Sequence, residues 1–219
     1  MKSTKQYYQK TWNLKSIKRL SKSEPFRKEE PDIELKRFLS YLNKKRIRGD
    51  LLDVGCGAGR HSILFAKKGF NVTGFDYSSN AIKLAKRFTK KYNLDINFKV
   101  ANVLSYKSRK KFDVIIDYGC LHHLPKSEWL DYRKTLLNQS KIGTLIFLFA
   151  FSENSRRLHG YYLKKKQKSI IINGEYTYFL SLNEIKKLFS KEFKIVFLKE
   201  KKTIDKLKSF WVVYLLRMK

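Results

Sequence analysis

The chain is short of cysteine, of acidic residues and of long apolar runs. Its only cysteines among 219 residues are Cys56 and Cys120, and neither shows metal-ligand spacing. That excludes a disulfide framework, predicts no metal site and favours a reducing cytoplasm. No apolar run approaches the roughly 18 residues of a membrane span, and no secretory leader is recognisable. The longest candidate, Thr144 to Phe151, has the length of a strand. Acidic residues number 19 against 49 lysines and arginines, a formal charge of +30. A field of that size attracts nucleic acid or anionic membranes. Yet lysine is spread along the whole chain, and the basic clusters at 44–48, 107–111 and 164–168 read first as solvated faces. With 42% hydrophobic residues the chain suffices for one full core.

What is present is a dense glycine signal. Residues 51–59 read Leu-Leu-Asp-Val-Gly-Cys-Gly-Ala-Gly. Leu51, Leu52 and Val54 make a short apolar strand, and Gly55, Gly57 and Gly59 then let the backbone approach a ligand that a Cβ would repel. A helix starting near Arg60 turns its first N–H groups toward the same place. The next strand, residues 71–76, ends on Asp76, whose carboxylate can accept hydrogen bonds from vicinal ribose hydroxyls. The third glycine falls one residue early for G-x-G-x-x-G, with Arg60 where that pattern needs glycine. A Gly-Lys-Ser/Thr is absent, which excludes a P-loop.

Strand and helix patterns alternate along the rest of the chain, the signature of an α/β fold. Strands are expected at 51–55, 71–76, 96–103, 112–117, 144–151, 193–198 and 210–216. A helix from about Arg60 to Lys68 ends at Gly69. Ser78 and Ser79 cap a second helix carrying Ala81, Ile82, Leu84, Ala85 and Phe88 on one side. A third covers Trp129 to Leu137, and Ser181 with Glu184 forms a capping box for a fourth. Residues 1–48 are polar, basic and helical in pattern, with Ile33, Leu35, Phe38, Leu39 and Leu42 at helical spacing. Tyr7, Tyr8 and Trp12 form an aromatic group beyond the breaks at Pro25 and Pro31.

Leu51 to Gly59, Asp76 and the run Phe112-Asp113-Val114-Ile115-Ile116 resemble the class I S-adenosylmethionine-dependent methyltransferases, from about residue 49 to the C-terminus. The resemblance implies a Rossmann-like, seven-stranded, mostly parallel sheet with helices on both faces and the last strand antiparallel. Residues 49–219 would be the methyltransferase domain, and 1–48 a helical cap over the substrate site. S-adenosylmethionine is the implied cofactor. Asp53, Gly55, Cys56, Gly57 and Gly59 would surround its amino-acid part, Asp76 its ribose and Tyr77 its adenine face. Asn102 and Val103 end strand three, where the family places an acid for the adenine amino group; Asn102 offers an amide oxygen instead.

After strand four the chain reads Asp117-Tyr118-Gly119-Cys120-Leu121-His122-His123-Leu124-Pro125. Tyr118 would touch the cofactor, and His122 or Tyr118 is the candidate general base, unless the histidines only pack there. Residues 117–120 are not the Asn/Asp-Pro-Pro-Tyr of methylases that act on exocyclic base amines. The Pro-Cys of 5-methylcytosine chemistry and the paired glutamates of arginine methylases are also missing. The remaining likeness is to compact thiopurine- and tellurite-resistance-type enzymes, which implies a small-molecule acceptor. There the aromatic and basic residues Arg156, Arg157, Tyr161 and Tyr162 would help the N-terminal segment to cover it. The alternatives are a nucleic-acid-directed methyltransferase, which the charge would suit, and a catalytically silent cofactor-binding module.

Overall fold

Adjacent residues of the central strands bury their side chains on opposite faces of one sheet, so both faces need a helical cover. The computed structural model describes Trp12 and residues 31–159, 161–164, 167–203 and 208–218. Helix α1 spans Ile33–Lys44, followed by strand β1, Asp50–Val54, helix α2, Arg60–Ala66, and β2, Asn71–Asp76. Helix α3, Ser79–Lys91, leads to β3, Asn97–Val100, and β4, Phe112–Tyr118. Helix α4, Trp129–Gln139, precedes β5, Ser140–Phe151. Two small hairpins follow: β6, Arg157–Leu158, with β7, Tyr161–Tyr162, and β8, Ser169–Ile172, with β9, Glu175–Tyr178. Helix α5, Leu182–Phe189, then introduces β10, Phe193–Lys202, and β11, Ser209–Arg217.

The main sheet has the order β10-β11-β5-β4-β1-β2-β3. Strand β11 inserts between β5 and β10 and runs antiparallel to both; the other six strands are parallel. This is the expected doubly wound sheet. Leu51, Val114, Phe147 and Phe149 pack beneath α1, α2 and α3, while Leu52, Ile115, Ile146 and Leu148 pack against α4 and α5. Helix α1 belongs to this core: Phe38 meets Phe147 and Tyr214 at centroid distances of 5.3 and 4.7 Å. Ile33, expected on its buried face, is instead 50% exposed at the first turn. No helix among the described residues is long and apolar enough to cross a membrane.

Local chemistry explains the boundaries. Strand β5 starts four residues before its apolar run because Thr144 stitches a bulge: its hydroxyl donates to the Phe112 carbonyl at 2.6 Å and accepts the Lys141 N–H at 2.9 Å. Ser181 and Glu184 make the expected capping box at α5. Strand β3 is shorter than expected, because only Asn97–Val100 finds a partner in β2. The hairpin β8–β9 turns through Asn173 and Gly174, both at positive φ (52° and 85°). Asn-Gly between strand-like runs is a strong hairpin signal, and it places Glu175 at the head of β9.

Candidate active site

After β1 the chain steps out to β2 and β3 and then returns to β4 on the other side of β1. Ligands of open α/β sheets bind at such a switch point, outside the carboxyl ends of the strands. There the glycine loop borders a cavity of about 300 Å³ lined by Asp53, Gly55, Cys56, Gly57, Arg60, His61, Tyr118 and Trp12.

The three glycines have different jobs. A Cβ on Gly55 would lie 3.1 Å from Cys120 Cβ, and one on Gly57 would lie 2.8 Å from the Trp12 indole. Both have positive φ, 66° and 54°, and both face the cavity. Gly59, expected to contact a ligand, instead makes room for the core: its Cβ would meet Phe98 Cζ at 2.7 Å and Ala85 at 3.1 Å. It serves the close packing of α2 on the sheet.

Three buried carboxyl groups surround the loop. Asp53 Oδ2 accepts the Ser62 hydroxyl at 2.6 Å. Burial pushes its pKa up to about 7 against that bond, and Asp117 and Asp76 add to the rise. Asp76 accepts the Gly57 N–H at 3.0 Å and the Ser78 N–H at 2.8 Å. These bonds tie the tip of β2 to the glycine loop, and burial still raises Asp76 to about 6. Asp117 accepts the Cys120 and Leu121 N–H groups at 2.6 and 3.0 Å and the Tyr132 hydroxyl at 2.6 Å. It shapes the turn after β4, and burial lifts it to about 6.

The other expected site residues divide. Tyr77 is half-buried beside Asp76, and burial raises its phenol. Asn102 turns its amide oxygen to the Leu104 N–H at 3.0 Å. Val103 is a core residue, packed with Phe75 and Tyr106. Tyr118 walls the cavity, stacked on Phe149 at 4.4 Å with the Arg60 guanidinium 5.3 Å from its ring. Burial pushes its phenol well up, and hydrogen bonds to Asp32 and Arg60 engage it. A phenol held protonated in this way is a poor general base.

His122 also departs from the expected role. It is 3% exposed, and its Nδ1 accepts the Phe151 N–H at 3.3 Å. Burial, then His123, holds its pKa well below the usual imidazole value, so the ring is neutral with its proton on Nε2. Its Nε2 is therefore a donor. Arg60 and His61 both line the cavity, although spacing drew attention to Arg60 only as a missing glycine. Burial lowers the Arg60 pKa, while Tyr118 and Asp32 support its charge.

Two of the basic clusters lie away from the cavity. Residues 44–48 and 107–111 lead into the amino ends of β1 and β4, opposite the cavity, where Lys110 meets Asp50 at 2.7 Å. Lys168 lies near the carboxyl edge and pairs with Glu153 at 2.9 Å and Glu184 at 3.4 Å. Tyr7, Tyr8, Lys165 and Lys166 lie outside the described residues.

Fold and glycine loop define a Rossmann-like ligand-binding protein, and relatives name its class. A family profile described as a methyltransferase domain matches residues 51–140. An uncharacterised methyltransferase of Schizosaccharomyces pombe is 28% identical over 151 residues, 68% of this chain and 99% of that protein. A ubiquinone biosynthesis O-methyltransferase of Pelagibacter ubique is 42% identical over 74 residues, 34% of this chain but only 31% of that enzyme. A solved S-adenosylmethionine-dependent methyltransferase of Methanosarcina mazei is 27% identical with a TM-score of 0.65, covering 77% of this chain and 92% of that one. Residues 51–140 thus match a methyltransferase domain, and the fold and the relatives are those of class I S-adenosylmethionine-dependent methyltransferases.

Proposed function

We propose that the protein binds S-adenosylmethionine across the glycine loop and transfers its methyl group to a small-molecule nucleophile. One observation carries the cofactor half: the Asp76 carboxylate sits 3.0 Å from the Gly57 N–H, so a ribose-binding acid and a bare backbone cradle adjoin. Gly55, Cys56 and Gly57 would border the amino-acid part, with Asp53 at the base of the loop. Arg60 would meet its carboxylate. Asp76 would accept from the ribose hydroxyls, and Tyr77 would cover the adenine. Asn102 keeps a lone pair of its amide oxygen for the adenine amino group.

Bound S-adenosylmethionine supplies a methyl group on a sulfonium, a leaving group that needs no further activation. The protein then has to align the acceptor, keep water out and receive any proton the acceptor releases. Tyr118 and Trp12 contribute aromatic walls to the cavity. Its size, the position of residues 44–48 and 107–111 at the opposite edge of the sheet and the likeness to a ubiquinone biosynthesis O-methyltransferase support a small acceptor over nucleic acid. The free Cys56 and Cys120 suit a reducing cytoplasm.

Calorimetry with S-adenosylhomocysteine, followed by a metabolite screen with labelled cofactor, tests both halves. Binding and labelling of a small molecule are expected. NAD binding without affinity for S-adenosylhomocysteine would sink the cofactor assignment. Labelling of RNA or protein with no small-molecule product would reverse the acceptor assignment.

A further inference from the structure

Between β5 and α5 the chain inserts its two small hairpins, and methyl transfer makes no use of their outer face. The insertion leaves the sheet at Ser152 and returns at Leu180, where the Glu153 N–H donates to the Leu180 carbonyl at 3.0 Å. It is rooted at the carboxyl end of β5, on the edge of the sheet that also bears the cavity. Its inner side is anchored, since Leu158, Ile172 and Phe179 pack with Phe151 and Phe210 in the core.

Short contacts make the two hairpins one body. The Lys164 N–H donates to Gln167 Oε1 at 3.0 Å, and the Gln167 amide donates to the Ser169 carbonyl at 3.1 Å, which closes the turn from β7 into β8. Glu175 at the head of β9 meets His159, in the turn between β6 and β7, at 3.3 Å. The body is also fastened to the turn after β4, because His123 Nδ1 lies 2.8 Å from the Tyr176 carbonyl. A carbonyl can only accept, so this nitrogen carries the hydrogen.

The outer side is apolar and basic at once. Tyr161, Tyr162 and Ile171 are 57, 73 and 64% exposed, three of the ten large apolar side chains that are exposed among the described residues. Ile171 alternates along β8 with the buried Ile172, so it points away from the core. Core packing accounts for none of the three. Residues 156–173 also hold six lysines and arginines and not one aspartate or glutamate. Of these cations Arg156 and Lys164 are exposed beside the tyrosines, and the Leu163 N–H donates to the Arg156 carbonyl at 2.9 Å.

Tyrosine and aliphatic groups ringed by lysine and arginine suit the boundary of a bilayer. The rings settle at headgroup depth, the aliphatic group reaches the acyl boundary, and the cations meet lipid phosphate. A single-stranded nucleic acid would need free ring faces on which to stack its bases. Here the Arg157 guanidinium already stands 5.3 Å from the centre of the Tyr162 ring, and Ile171 offers no ring. We infer that this outer face docks the protein on an anionic membrane surface. The docking is independent of the methyl-transfer reading and goes beyond it. A protein docked in this way turns the carboxyl edge of its sheet, and the cavity there, toward the bilayer.

Vesicle sedimentation of the full chain tests the inference. At about 0.15 M salt the wild type should bind vesicles of about 30% phosphatidylglycerol in phosphatidylcholine, and bind pure phosphatidylcholine at least about tenfold less. Arg156→Gln/Lys164→Gln should lower the partition coefficient about tenfold or more, because each cation near such a surface contributes roughly fivefold. Tyr161→Ser/Tyr162→Ser/Ile171→Ser should lower it by about tenfold as well. Lys107→Gln/Arg109→Gln, at the opposite edge of the sheet, should change it less than about threefold. A second measurement needs only one conservative change. With vesicles brominated on the acyl chains, Tyr162→Trp should lose the emission it adds to the wild type. Ile142→Trp, at a position 75% exposed at the amino edge beside Lys141, should keep it. Equal losses in the amino-edge variant, quenching at both positions or at neither, or no preference for anionic vesicles would each overturn the inference. So would a variant without Tyr161, Tyr162 and Ile171 that keeps its vesicle binding and loses affinity for a uridine oligonucleotide, which would assign the face to nucleic acid.

Discussion

The Trp12 indole stands over the α-carbon of Gly57, so that a methyl group built there would lie 2.8 Å from Cζ2 and 2.9 Å from Cη2 of the ring. Gly57 also holds φ at 54°, a conformation that costs an L-residue roughly 1–2 kcal/mol. Gly57→Ala is expected to destabilise the fold by at least that amount and to shift the emission of Trp12, while Trp129 and Trp211 stay buried. Urea unfolding followed by fluorescence measures both. In a Trp12→Ala background the steric part should vanish and the backbone part remain, so a double-mutant cycle separates them.

Asp76 is the second target. Asp76→Ala should weaken S-adenosylhomocysteine binding by about 1.5–3 kcal/mol, as loss of hydrogen bonds to a charged group does. The carboxyl is raised to about 6 in the ligand-free protein, while ribose hydroxyls favour the ionised form as an acceptor. Affinity should therefore rise with pH through about 6, with proton release on binding at the lower end. Calorimetry in buffers of different ionisation enthalpy reads the proton directly. Asp76→Asn should lack this component.

Asp53 should show a conflict between stability and function. Its folded-state pKa is raised to about 7, above the ordinary carboxylate value, by burial. The folded state therefore binds the extra proton, and stability falls as pH rises from about 4 to 7. Asp53→Asn removes that loss and keeps an oxygen for the Ser62 hydroxyl. The ligand-free variant should be more stable by about 1–3 kcal/mol at pH 8, with no gain at pH 4. Binding of S-adenosylmethionine should weaken. A variant less stable than wild type at pH 8 would refute the assignment.

Tyr132 supports the turn after β4 from beneath. Its hydroxyl donates to Asp117 at 2.6 Å, and both residues are fully buried. Tyr132→Phe leaves a buried carboxylate one donor short and should cost about 1.5–3 kcal/mol in denaturant unfolding. Because Asp117 also holds the Cys120 and Leu121 N–H groups, the ring NMR signals of His122 and His123 should shift in the same variant.

Signals acting within a few residues were legible in the chain. Leu51 to Gly59 announced a strand, a tight turn and a helix start, and Asp76 announced the acid at the next strand tip. Ser181 and Glu184 specified a cap that formed as written. The alternation that puts Leu51 and Leu52 on opposite faces is a property of strand geometry. Asn173-Gly174 carried a hairpin signal of the same local kind, overlooked beside the stronger motifs. Glu175 drew no attention because a single glutamate carries no pattern.

The sequence by itself determined the parallel sheet and the glycine loop, because period, turn chemistry and backbone freedom act over short spans of chain; the cofactor entered through the family resemblance that those motifs carry. Tertiary structure alone decided what individual polar and small residues do. Gly59 and Val103 turned to the core because Phe98, Ala85, Phe75 and Tyr106 arrive there from other elements. His122 and His123 are neighbours of one residue type, yet the Phe151 N–H makes one a donor at Nε2 and the Tyr176 carbonyl makes the other an acceptor. A hydrogen-bond partner 29 or 53 positions away leaves no mark on the local pattern, and it is that partner which sets the chemistry of the ring.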